Sequence, residues 1–89
     1  MGMRIRGMID TLVNAAGTVG AAHNQYADAV RVTRLRLADE LTHDDLLADV
    51  RRLSDADKAD MDAALNKAIP PQAPDGVDAV LALRRILRA

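Results

Sequence analysis

Apolar positions recur every seven residues through the first 40 of the chain. Ile5, Leu12, Val19, Tyr26 and Thr33 form one line, and Met8, Ala15, Ala22 and Ala29 a second, three residues on. Ile9, Ala16, His23, Val30 and Leu37 lie beside them. This stripe predicts one long amphipathic helix over about residues 3–40. Gly17 and Gly20 interrupt it at about 1 kcal/mol each relative to Ala, marking a kink or a very close helix crossing.

One stretch competes with the helical reading. Residues 30–37, Val-Arg-Val-Thr-Arg-Leu-Arg-Leu, nearly alternate apolar and polar, which is the pattern of a strand. No second strand-like run is present to pair with it, so a strand here needs a symmetry-related mate. Helix is the first expectation and an intermolecular ribbon the second.

Three shorter helices follow. Thr42 reads as an N-cap with Asp45 three residues on, and Leu41 and Leu46 as the flanking hydrophobic staple, opening a helix at about 43–53. Ser54 caps again, with Asp55 and Asp57 in the first turn, for a helix at about 55–69. Pro70, Pro71 and Pro74 make residues 70–75 a semi-rigid connector. Asp75 then reads as the cap of a last helix at about 76–88, with Val80, Leu83 and Leu87 on its core side. The expected fold is all-α. Residues 1–89 form a single small domain in which the long helix packs with two to three shorter ones as a helical hairpin or bundle.

Composition changes this picture in two ways. Of 89 residues, 17 are Ala and the only aromatic is Tyr26. Burial contributes roughly 25 cal/mol per Å², and Ala has little area to bury. A lone copy is therefore expected to be marginal and to gain from a second helix laid on the Ala-rich stripe. The interface residues this predicts are Leu12, Ala15, Val19, Ala22, Tyr26 and Val30. Charge is uneven as well. Residues 1–38 carry net +3, residues 39–62 net −6 and residues 63–89 net +2. That order favours contact between the ends and the middle, within one chain or between copies. Arg31, Arg34 and Arg36 are accordingly expected to face the acidic stretch Asp39–Asp62.

Most chemistries find no support. With no Cys there is no disulfide, thiol nucleophile or Cys-based metal site. Glu40 and His43 spell Glu-x-x-His, but a di-iron bundle needs two such units and two further Glu, and Glu40 is the single Glu. Residues 55–66 follow a calcium loop only in their alternating acids, since Asp60 and Asn66 stand where Gly and Glu are required. Ser54, the only Ser, lacks a Gly-rich elbow, and its order Leu53-Ser54-Asp55 reverses the context of an acyl carrier. No enzyme activity, metal or cofactor is expected.

Two functions remain. The first is a non-enzymatic protein–protein interaction or structural module, self-associating or docking on a partner through the first helix: an adaptor, a phage accessory factor or a particle subunit. The second starts from residues 30–69, which resemble in outline a ribbon–helix–helix repressor. That resemblance implies a small DNA-binding regulator with contacts from the Arg31–Arg36 segment, namely Arg31, Thr33, Arg34 and Arg36. A pI near 6.0 disfavours general nucleic-acid coating. No run is long enough for a secretory signal or a spanning helix, so a membrane partner is not expected. The cytoplasm is the expected location, or the virion for a phage protein. Ten Arg against two Lys, and 12 Asp against one Glu, suggest high-GC coding in a bacterium or phage.

Overall fold

The computed structural model describes residues 3–17, 22–69 and 76–89, with side chains described for residues 4–17, 25–69 and 76–89. The regular structure of the described residues is all helical. Among the described residues five helices appear in order: α1 (Met3–Ala16), α2 (Ala22–Ala38), α3 (Glu40–Val50), α4 (Asp55–Leu65) and α5 (Val77–Leu87). No strand is present among the described residues.

The single helix expected over residues 3–40 is instead two. The stripe is buried within the chain, on two helices and not on one continuous one. Ile5, Met8, Ile9 and Leu12 of α1 and Tyr26, Val30 and Thr33 of α2 are all buried. α1 ends at Ala16, with the Gly17 amide still donating to the Val13 carbonyl at 3.0 Å. α1 and α2 then pack on each other. Each half of the stripe thus finds apolar company inside one chain. The glycines already weakened a continuous helix at this point.

Residues 30–37 lie wholly within α2, so no ribbon forms. Their near-alternation has a helical explanation. Val30, Thr33 and Leu37 face inward, while Val32 and Leu35 are exposed on the opposite side. Apolar residues on both faces of one helix imitate the period of a strand.

The remaining boundaries shift for local reasons. α3 starts at Glu40 because Asp39, not Thr42, is its N-cap. The Asp39 carboxylate accepts from the Thr42 amide at 3.0 Å and from the Thr42 hydroxyl at 2.7 Å. An anion at this end also meets the positive pole of the helix, which a Thr cap does not supply. Leu41 is 76% exposed, so the expected staple with buried Leu46 does not form. α3 and α4 end earlier than expected, at Val50 and Leu65. Short i→i+3 bonds, such as Leu53 N to Val50 O at 3.0 Å and Lys67 N to Ala64 O at 3.0 Å, tighten the chain after each. Ser54 caps α4 as anticipated, accepting from the Asp57 amide at 3.1 Å. Asp75 and the connector 70–75 lie outside the described residues.

α5 is the most heavily buried helix, contributing Ala79, Val80, Leu83, Ile86 and Leu87 to the core. It packs on α2, α3 and α4, while α1 packs on α2, α3 and α4. Leu46, Val50, Met61, Leu65 and Ala68 fill the space between. The radius of gyration, 12.4 Å, matches the roughly 12 Å of a packed chain of this length.

Ion pairs join distant parts of the chain, in partial agreement with the charge pattern. Arg4 of α1 pairs with Asp45 of α3. Arg84 and Arg88 of α5 share Asp62 of α4, at 2.9 and 3.4 Å. These are contacts between the basic ends and the acidic middle. The Arg31–Arg36 group behaves differently from expectation. Arg34 reaches α5, where Asp78 accepts from Nε at 2.9 Å and from Nη2 at 2.8 Å. Arg31 lies 3.6 Å from Asp28, one turn back on its own helix.

Candidate functional site

The residues nominated as an interface do not share an open surface. Leu12, Tyr26 and Val30 are buried in the chain's own core, and Ala15 is half-buried. Val19 lies outside the described residues, and Ala22 opens α2 with its side chain undescribed. The helices that cover the described part of this stripe belong to the same chain.

The nominated DNA-contact residues are also divided. Thr33 is buried and donates from Oγ1 to the Ala29 carbonyl at 2.8 Å. Arg34 is held in its two-bond pair with Asp78, and this guanidinium keeps the Asp78 carboxyl below its ordinary pKa. Arg31 and Arg36 remain on the surface. Arg36 makes no ion pair among the described residues.

The surface that α2 does present was not singled out by the seven-residue stripe. Gln25, Asp28, Val32 and Leu35 follow each other at intervals of three and four residues, on the side away from the core. Val32 is 43% and Leu35 62% exposed. Arg31 and Arg36 flank them. The signal in the sequence is the same apolar alternation at 30–37, which within a helix means a second apolar face.

Beside this face runs a groove of about 320 Å³ between α1 and α2. Met8 and Thr11 supply one wall, Ala29 and Val32 the other, and Asp28 and Arg36 contribute opposite charges to it. The Thr11 hydroxyl is turned back to the Gly7 carbonyl at 2.8 Å, so the α1 wall offers mainly carbon. A second groove of about 340 Å³ lies where α2, α3 and α5 meet, lined by Leu37, His43, Leu47, Ala82, Arg85 and Ile86. On α5, Val77 and Leu81 are also exposed, but the charge between them, Asp78, is already matched by Arg34.

His43 and Glu40 sit in the first turn of α3, and the acids of residues 55–62 in α4. No group of three or more His, Asp or Glu side chains that could hold a metal ion occurs among the described residues. None of the described helices is long and apolar enough to cross a membrane. No known protein family, curated protein or solved structure matches the chain.

Proposed function

We propose that the protein is a non-enzymatic interaction module that binds a helix of another polypeptide along the outward face of α2. The observation that carries this reading is the exposure of Val32 and Leu35 on one helix face, next to the carbon-walled groove between α1 and α2. A large apolar side chain left in water forfeits roughly 1.5–3 kcal/mol of burial energy. Two such residues beside a groove suit helix-in-groove recognition, in which apolar anchors at three- and four-residue spacing supply affinity and flanking charges set orientation. The role differs from the expected one in location only. The segment of residues 3–40 still supplies the surface, but through the outer side of α2 and not the buried stripe.

A photo-cross-linking residue at position 35, in cells that make the protein, tests this reading. Position 59, exposed on the outer side of α4, is the control. Protein adducts should form at position 35 well above those at position 59. Equal yields at both positions overturn the proposal.

A further inference from the structure

The outward face of α2 carries its own complement. Asp28 lies four residues before Val32, and Arg36 four residues after it. Each is therefore about 6 Å from Val32 along the helix axis, in opposite directions. A helix with this arrangement, turned end over end about Val32, presents Asp28 where Arg36 stood and Arg36 where Asp28 stood. We infer that the helix bound on this face is α2 of a second copy, lying antiparallel across a two-fold axis at Val32. This rests on the docking reading above and names its occupant.

Three observations support the choice. First, both charges are available. Arg36 has no ion pair among the described residues, and Asp28 has only the long contact with Arg31 at 3.6 Å, with both of those side chains well exposed. Second, the charges select a register. Centring the pair between Val32 and Leu35 would set Asp28 against the partner's Asp39, and Arg31 against the partner's Arg36. Centring it on Val32 replaces this repulsion with two equivalent Asp28–Arg36 pairs, which is the self-complementary pattern of a two-fold interface. Third, the apolar residues lie at the middle. Val32 meets the partner's Val32 on the axis, and in the same register Leu35 lies opposite the partner's Ala29. The net charge of −1 per copy opposes the contact only weakly.

A single pair of helices buries less than the roughly 1,200 Å² of a standard stable interface, so the dimer is a concentration-dependent one. Sedimentation equilibrium of the intact chain from about 10 µM to 1 mM tests the proposal, in a range chosen for small interfaces. The wild type should pass from monomer to dimer within it. Asp28→Arg puts two Arg against two Arg, and Arg36→Asp puts two Asp against two Asp. Each alone should weaken dimerisation on the order of tenfold or more. Mixed in equal amounts, the two variants should recover a heterodimer, because every charge then meets its opposite. Helical circular dichroism equal to wild type confirms that each variant is folded, and recovery on mixing cannot come from a misfolded chain.

A wild type that stays monomeric up to 1 mM overturns the inference, as does a dimer indifferent to either reversal or variants that fail to complement. The outcomes also separate this inference from the broader one. A monomeric purified chain whose position 35 cross-links to a different protein leaves the docking face standing and removes only the second copy.

Discussion

The hydroxyl of Tyr26 fills the space in which a side chain on Gly76 would have to lie. A Cβ placed on Gly76 would overlap that oxygen and come within 2.9 Å of Val30 Cγ2 and 3.0 Å of Tyr26 Cζ. The backbone at Gly76 has φ −90°, which any residue adopts. Glycine is required here for room and not for conformation. The approach lets α5 start against the single aromatic ring of the protein. Gly76→Ala should cost about 1–3 kcal/mol, the usual price of overpacking. In a chain of this length that lowers Tm by about 4–8 °C per kcal/mol. In a Tyr26→Phe background the same substitution should cost measurably less, because the nearest obstacle is gone. Urea unfolding of the four chains gives the coupling, and additive effects would contradict the collision.

Asp39 carries a pH-dependent cap. Its carboxylate accepts from the hydroxyl and then the amide of Thr42, and both bonds hold its pKa below the ordinary value. A lowered native pKa means that the unfolded chain binds the proton more readily. The stabilisation is therefore complete above the unfolded carboxylate pKa and is lost as pH falls through the lower, folded value. Asp39→Ala should lower Tm at neutral pH, and its difference from wild type should shrink as the solution is acidified through that window. Thermal melts at a series of acid pH values follow the convergence. A constant difference at every pH would rule out ionisation as its source.

Arg84 is the arginine with most to lose on substitution. Its side chain is 21% exposed and that of Asp62 is 31% exposed. It donates to Asp62 Oδ1 at 2.9 Å, to the Asp62 carbonyl at 3.3 Å and to Asn66 Oδ1 at 2.7 Å. Arg84→Ala should destabilise by about 1–3 kcal/mol, in the range for partly buried, charge-assisted bonds. Lys at this position lacks the planar fork and should recover less than half of the loss. Denaturant midpoints of the two variants decide this, and a fully restored Lys variant would show that charge alone matters.

Gly7 presents the opposite case from Gly76. It lies within α1, it is exposed, and a Cβ there would meet nothing within 4 Å. Gly7→Ala should stabilise the chain by about 0.5–1 kcal/mol by removing backbone freedom from the unfolded state. A rise in urea midpoint at unchanged slope is the expected signature, and a fall would point to an unrecognised contact at this surface.

The fold was legible along the buried stripe and at one cap, Ser54, while the cap expected at Thr42 is Asp39. The positions on the stripe named inner faces correctly at Ile5, Met8, Ile9, Leu12, Tyr26 and Val30, and Ser54 announced the start of α4. What periodicity does not carry is direction. A seven-residue rhythm continues unchanged whether the helix runs on past Gly17 or the chain folds back, because both arrangements bury the same residues. The same ambiguity displaced the candidate interface. A buried stripe reads alike whether the helix that covers it is the chain's own or another's. Leu35 was hidden for a different reason, since its exposure is the residue of packing decided elsewhere, by α5 on one side of α2 and α1 on another. The Arg34–Asp78 pair spans 44 positions, and no local pattern announces it.

The first turn of α1 is held by α3. Besides the Arg4–Asp45 pair, Asp49 accepts from the Ile5 amide at 3.2 Å, closing a helix start that has no acidic residue of its own. The partners are 41 and 44 positions apart. The start of α1 is thus fastened only once α3 is in place: without Asp45 and Asp49 there is no carboxylate there to hold that first turn. Loop closure over that span must precede the reward, so this end of α1 consolidates together with α3 and not ahead of it.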